Sequence, residues 1–257
     1  MPTSPPLTIP EQLFPIAISR RLLLPITVCT CEAQRCPICG LTCGGGTEVS
    51  GKQSMDRWGD HSLVCNTDAN PHRTRWHDSI MSVFTAMLRS AAISVRSDKN
   101  ASLRNTVRSA ATNKRPDLAL YNTDPNHADT FIDITTRMAT YHKHVELAAV
   151  TPGTAAASGD HDKNRAWGEL YTSQGDRFLP VTLEDGGFLS EGGHDLIDLA
   201  VKSVGGTKGE KVAFLTYWRQ RLYLANTRGV AKTILERPRS PQVRTLCSQQ
   251  HPGAPRV

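Results

Sequence analysis

Apolar residues follow two kinds of spacing along the chain, and the two predict different elements. Within 76–95 they recur at positions 80, 83, 84, 87, 88 and 91, which is the spacing of an amphipathic helix. The segments DLALY (117–121) and TFIDIT (130–135) alternate instead, and the Asn-, Asp- and Pro-rich stretch between them is typical of a turn. The pattern therefore predicts a helix over 76–95 and, further along, a β-hairpin.

The remaining pattern is weaker. It predicts helices near 160–172, 194–203 and 209–226, and a strand at 178–183. Residues 98–114 are polar and basic, which indicates a loop or a weak strand pair. From Pro238 onward Pro, Arg, Ser and Gln dominate, a composition typical of disorder.

Pattern and composition together divide the chain into four segments. The Pro-broken apolar start is expected to pack as an arm, and the Cys-rich stretch after it as a small metal-bound module. An α/β core and a basic, disordered tail follow. The predicted boundaries are 1–28 for the arm, 29–71 for the module, 72–226 for the core and 227–257 for the tail.

Several classes of protein are disfavoured by the 257-residue sequence. No apolar run approaches the roughly 20 residues that span a bilayer, and the first residues lack the features of a signal peptide. A membrane partner is therefore not expected. The seven cysteines are odd in number, and six of them lie within 29–65. A reducing compartment and a metal site explain this cluster better than a disulfide framework does.

The paired spacing of Cys and His residues points to zinc. Cys36 and Cys39 form a Cys-x2-Cys turn, and His61 and Cys65 lie one helical turn apart. Three thiolates and one imidazole are a common tetrahedral set for structural Zn²⁺, and the metal would help to order the Gly-rich stretch between the two pairs. Two alternatives stay open: scattered free thiols, or a second site or exchanged ligands among Cys29, Cys31 and Cys43.

Charge is distributed unevenly along the chain. Residues 72–116 carry nine basic and two acidic side chains, residues 226–257 carry six and one, and the segment between them has a net charge of −5. Basic flanks around carboxylates suit a protein that binds a polyanion and holds metal ions near it. Ordinary solvated faces are the alternative. The candidates for phosphate contacts are Arg73, Arg75, His77, Lys114 and Arg115.

Asp117 and Asp133 belong to the two predicted hairpin strands. If the Leu and Ile residues at 118, 120, 132 and 134 enter one core, strand alternation directs both aspartates to the opposite face. Two neighbouring carboxylates repel each other unless a cation lies between them, and oxygen ligands select Mg²⁺ or Mn²⁺. Lys163 and Lys143 are candidates for the cationic side chain that phosphodiester hydrolysis also needs. Aspartates in an ordinary strand edge or turn are the alternative.

The motifs CPIC, GDHSLVC, RWHD, KRPDLALY and TFIDITT occur in this order between residues 36 and 136. As an ordered set they resemble the restriction-like endonuclease region at the C-terminal end of site-specific non-LTR retrotransposon polyproteins. The resemblance extends over about residues 20–200. It implies an α/β fold in which a restriction-endonuclease-like mixed sheet core, flanked by helices, follows a small Cys-Cys-His-Cys zinc knuckle.

The resemblance also implies residue roles. Asp117 and Asp133 correspond to the metal-binding acids of a PD-(D/E)xK nuclease, and Lys163 to its catalytic lysine, carried on a helix instead of a strand. The zinc ligands would be Cys36, Cys39, His61 and Cys65.

The function implied is a Mg²⁺- or Mn²⁺-dependent endonuclease that nicks double-stranded target DNA to prime reverse transcription, in the nucleus. The element's RNA is a further implied partner, as is an upstream reverse transcriptase domain if the chain is a fragment. The strand position of the usual lysine holds Thr135. A catalytically degenerate, zinc-stabilised nucleic-acid-binding module is therefore the alternative, and an interaction protein that uses zinc only as a staple is a third.

Overall fold

A computed structural model describes residues 8–22, 26, 60, 63, 71–97, 116–121, 129–141 and 143–235. The chain divides into two compact units. One unit comprises residues 1–8 and 77–227, and the other comprises residues 9–76 and 228–257. Within the described ranges, no helix has both the length and the apolar character needed to cross a membrane.

A four-stranded mixed sheet forms the centre of the unit that contains residues 77–227. Its strands are β1 (Val95–Ser97), β2 (Leu118–Tyr121), β3 (Asp129–Arg137) and β4 (Arg177–Glu184), and they lie in the order β1-β2-β3-β4. β2 pairs antiparallel with both β1 and β3, whereas β4 runs parallel to β3. The hairpin and the strand expected at 178–183 are confirmed.

Helices precede the sheet, connect its last two strands and follow it. They are α1 (Phe14–Arg21), α2 (Pro71–Ser90), α3 (Val145–Val150), α4 (Thr154–Lys163), α5 (Glu169–Thr172), α6 (Glu191–Ser203) and α7 (Lys208–Leu235). A 3₁₀ turn, Glu11–Leu13, leads into α1, and a π-helical segment, Asn164–Gly168, joins α4 to α5. The chain is thus mixed α/β, with a mixed sheet flanked by helices, as expected.

Both faces of the sheet are buried, but by different residues. On one face Leu118, Leu120, Ile132 and Ile134 are almost completely buried, as the alternation predicts. The opposite face, to which strand alternation directs the aspartates, also carries a small core of Ala119, Phe131, Tyr171 and Phe178. The Tyr171 ring stacks on Phe131 at 4.7 Å and on Phe178 at 5.3 Å between ring centroids.

The end of α2 differs from the prediction, because the helix stops at Ser90 instead of 95. Ala92 adopts a left-handed φ of 59°, its N–H donates to Arg89 O, and the Ile93 N–H donates to Leu88 O. These two bonds form a Schellman C-cap. Glycine normally marks this cap, and here alanine takes its place, so no stop signal is visible in the sequence. β1, which was not predicted, follows directly.

Other boundaries also move. α4 begins at Thr154, ahead of the predicted 160. The pattern missed its first turns because the residues buried there, Ala155, Ala156 and Gly159, are too small to give an apolar signal. α3 was not predicted and buries none of its residues.

The last helix, α7, continues to Leu235, into the segment from 227 that was predicted as a disordered tail. Val230, Ala231 and Ile234 are buried, and their i, i+1, i+4 spacing extends the helical pattern beyond 226. The tail prediction is therefore wrong for residues 227–235.

Candidate active site

The end of the hairpin ladder brings the two aspartates together. Leu118 and Ile132 form the outermost pair of the β2–β3 register, and the N–H of the preceding residue, Asp117, donates to Ile132 O at 2.9 Å. The side chains of Asp117 and Asp133 interact with each other through a hydrogen bond and through their charges. The predicted proximity of these two carboxylates is thus present in the structure.

One carboxylate oxygen of Asp117 accepts two hydrogen bonds. Its Oδ2 accepts the Ile134 N–H at 2.7 Å and lies 3.1 Å from His77 Nε2. His77 Nε2 is also 3.0 Å from Ile134 O. Because both of these oxygens are acceptors, Nε2 must carry the hydrogen.

His77 therefore joins helix α2 to the carboxylate pair. Burial opposes a positive charge on its ring, but the hydrogen bond and charge of Asp117, together with those of Asp78, raise the pKa of His77 above its ordinary value. Burial likewise opposes a charge on Asp117, yet the hydrogen bond and charge of His77, with the Ile134 N–H, lower the pKa of Asp117. Asp117 is thus kept ionised.

Asp133 is in a different electrostatic state. Its Oδ2 lies 2.7 Å from Lys163 Nζ, and its side chain is 11% exposed. Burial raises the pKa of Asp133 to about 6, and the charge of Asp117 adds to this, although Lys163 opposes it. Lys163 therefore does not fully offset the burial of Asp133 and the neighbouring charge of Asp117, and a further cation near Asp133 would favour its ionised form.

The segment from Lys163 to Tyr171 contacts the sheet at both of its ends. Lys163 contacts Asp133, and Tyr171 packs on Phe131 of the same sheet face. In a continuous α-helix, residues eight apart lie about 80° apart around the axis. The wider turns of the π-helical segment Asn164–Gly168 remove most of this offset. Lys163 and Tyr171 can therefore both point at the sheet.

Two further acids bind backbone N–H groups, one in α4 and one just after β3. Glu184 Oε1 accepts the Ala156 N–H at 2.9 Å, near the start of the helix that carries Lys163. Asp185 Oδ1 accepts the Ala139 N–H at 3.0 Å, just beyond β3. Burial raises the pKa of Glu184, and the charge of Asp185 adds to this against the hydrogen bond from Ala156.

The donor set fits a hard divalent cation. Mg²⁺ is commonly held by one or two carboxylates, with water and substrate phosphate completing its coordination. Asp117 and Asp133 supply two such carboxylates. In the part of the chain that the structure describes, no group of three or more His, Cys, Asp or Glu side chains is arranged to hold a metal ion.

The other predicted site residues are placed as follows. Arg73 and Arg75 lie in the first turns of α2; Arg73 is half-buried, Arg75 is exposed, and both have interaction partners. The zinc ligands and two basic residues lie outside the described residues: Cys36, Cys39, His61, Cys65, Lys114 and Arg115. The proposed zinc knuckle therefore stays a prediction.

Sequence reasoning missed two features of this site. It proposed His77 as a phosphate contact, whereas the structure pairs it with Asp117, which is 40 positions away. No spacing signal could have revealed this pair. It also passed over Arg137, although strand alternation puts Arg137 on the same face as Asp133. That signal was available in TFIDITTR.

Comparison with known proteins finds no relative of this chain. The chain matches no family model, no curated protein and no solved structure.

Proposed function

We propose that this chain is a metal-dependent DNA endonuclease that nicks its target by phosphodiester hydrolysis. The observation that carries the proposal is the convergence of the Asp117 and Lys163 side chains on Asp133. These residues are the three that the resemblance to retrotransposon endonucleases singles out. The mixed sheet with flanking helices is also the architecture that a restriction-endonuclease-like core requires.

Each residue has a distinct task in this proposal. Asp117 and Asp133 hold Mg²⁺ or Mn²⁺, with His77 and the Ile134 N–H fixing the Asp117 carboxylate. The bound ion supplies acidity to a water molecule and neutralises charge on the scissile phosphate. Lys163 orients the attacking water or stabilises the charge that develops on the phosphate.

The zinc knuckle completes the proposal. Cys36, Cys39, His61 and Cys65 bind one structural Zn²⁺, which braces the chain and helps to dock the duplex. By the same resemblance, the element's RNA is a second partner, a reverse transcriptase domain precedes the region, and the protein acts in the nucleus. Zinc content measured by mass spectrometry should fall from one ion per chain when Cys36 and Cys39 are both replaced by Ser.

The decisive experiment is a nicking assay on supercoiled plasmid. The purified chain is expected to nick DNA with Mg²⁺ or Mn²⁺ and to be inactive in EDTA. Asp117→Asn and Asp133→Asn should each abolish nicking. Asp195→Asn is the matched control, because that carboxylate pairs with Arg177 at 2.8 Å and is half-exposed. Failure of the wild-type chain to cut, or full activity of both site variants, contradicts the proposal.

A second candidate function rests on Thr135. It follows Asp133 by two positions on the same face, where the family's strand lysine is usual, and it brings no charge there. A zinc-stabilised nucleic-acid-binding module without catalysis would tolerate this. Metal-independent binding in a gel shift, with no cleavage of any substrate by the wild-type chain, selects this second function.

A further inference from the structure

A second cationic group lies next to the candidate active site. Arg137 ends β3, four residues beyond Asp133 and on the same face by strand alternation. Its Nη2 lies 3.1 Å from Asp162 Oδ2. Asp162 directly precedes Lys163, whose ammonium contacts Asp133. The Arg137 side chain therefore reaches the helix turn that also presents Lys163.

Asp162 binds a second arginine with its other oxygen. Arg165 Nη2 is 3.5 Å from Asp162 Oδ1, and the Arg165 side chain is 75% exposed. Two guanidinium groups thus share one carboxylate, which leaves a net positive charge on the cluster. This local positive charge contrasts with the net charge of −5 that residues 117–225 carry as a whole.

The cluster also has unused hydrogen-bonding capacity. A guanidinium has five N–H donors. The ion pairs to Asp162 involve only one terminal nitrogen, Nη2, of each arginine. The side chains of Arg137 and Asp162 are 33% and 42% exposed, so the cluster opens to solvent. Spare donors in a planar fork suit phosphate oxygens, which arginine often binds with two hydrogen bonds.

We propose that Arg137 and Arg165, held together by Asp162, form a binding site for backbone phosphates of the DNA strand that enters the carboxylate site. The inference rests on the proposed DNA substrate and adds a contact surface that the candidate residues of the basic segment do not include. Asp162 holds the two guanidinium groups side by side, and each contributes one phosphate contact. Lys163 keeps its separate place at the scissile phosphate, because it contacts Asp133 and is not part of the Asp162 cluster.

The test measures binding without cleavage. A fluorescently labelled DNA duplex is titrated with the full chain in EDTA at several salt concentrations, and the logarithm of the association constant is plotted against the logarithm of salt. Each lost phosphate contact should reduce the steepness of this slope by about 0.9. Arg137→Met and Arg165→Gln should each show this reduction, with a roughly three- to tenfold weaker affinity at low salt.

Two further variants separate phosphate binding from a structural role. Arg137→Lys keeps the charge and should restore most of the slope. Arg177→Met is the matched control, because Arg177 also pairs with an acid on a helix, at 2.8 Å, but lies at the opposite end of β4 from the position paired with Arg137. It should bind as the wild-type chain does. Thermal melting of every variant checks folding, and the exposed Arg165 keeps the test valid if Arg137→Met does not fold.

The outcomes distinguish this inference from the nuclease proposal. Unchanged slopes for both Arg137→Met and Arg165→Gln overturn the phosphate site, even if the chain nicks plasmid. Reduced slopes without any cleavage support the site and leave only the nuclease proposal contradicted. Absence of duplex binding at low salt overturns the phosphate site as well.

Discussion

The two faces of the central sheet are covered by different kinds of side chain. One face is apolar along the hairpin, with Leu118, Leu120 and Ile132 fully buried. The other changes from aromatic at Phe131 to charged at Asp133 within two residues of β3. The sheet therefore separates its tasks, since one face supplies stability and the other accommodates a charged site beside a small core.

The charged face has a thermodynamic cost that the apolar face does not have. Burial raises the pKa of Asp133 to about 6 in spite of Lys163. An acid held in this way is less stable when ionised than it would be in water. A local loss of stability of this kind is typical of catalytic and binding sites. The two faces should accordingly respond in opposite ways when their central residues are replaced.

The largest change in stability is expected on the apolar face. Leu120 is completely buried in β2, so Leu120→Ala removes packing and leaves a cavity. We expect it to lower the free energy of unfolding by about 2–5 kcal/mol. Val150→Ala is the control, because Val150 is exposed on α3, and it should stay within about 0.5 kcal/mol. Urea denaturation measures both, and equal effects would contradict the assigned burial.

The largest change in activity is expected on the charged face. Lys163→Met keeps the length of the side chain but removes the ammonium group that lies 2.7 Å from Asp133. We expect the nicking rate to fall by about 10² to 10³-fold, because a preorganised charge at the phosphate is lost. Affinity for duplex DNA should change far less. Lys202→Met, on the exposed side of α6, should keep normal activity, and a similar loss in that variant would contradict a specific role for Lys163.

The hairpin could be predicted from sequence because its signal is local. Alternation in DLALY and TFIDIT predicts which residues share a face, and the antiparallel pairing of β2 with β3 brings Asp117 within reach of Asp133. The same alternation could not reveal that the acid-bearing face is also packed, because Tyr171 and Phe178 come from later elements. A local pattern specifies a face of a strand but not what covers it.

Other features depended on exceptions or on long-range contacts. Ala92 in the left-handed region ends α2 without the glycine that usually marks such a cap. His77 reaches Asp117 across 40 positions, which no periodicity encodes. Lys163 was one of two candidate lysines, and the resemblance selected it. The pattern predicted a helix near 160–172 around it, but neither the start of α4 at Thr154 nor the π-helical segment that follows Lys163. The sequence thus predicted the proximity of the two aspartates, which is local, but not the contacts that His77 and Lys163 make with them.

The smallest expected effect is a change in the free energy of unfolding on the charged face, and it has the opposite sign to the loss expected for Leu120→Ala. Asp133→Asn should stabilise the metal-free chain at pH 7.5. The folded pKa of Asp133, about 6, exceeds its ordinary value of 3.8, so the folded chain keeps this proton longer than the unfolded chain does. Its contribution to stability therefore declines as pH rises from about 4 to 6 and stays low above that. The gain from Asn should be on the order of 1–3 kcal/mol.

Thermal and urea unfolding in EDTA measure this gain, and the measurement should be repeated below pH 4, where the advantage of Asn should vanish because Asp133 is then protonated in both states. Asp195→Asn, at a half-exposed carboxylate, should show no comparable gain. Adding Mg²⁺ should reverse the order, since the ion stabilises only a chain that binds it. An Asn variant less stable than wild type at pH 7.5 in EDTA would mean that the Asp133–Lys163 pair is net stabilising. In that case the charged face would strengthen the fold, as the apolar face does.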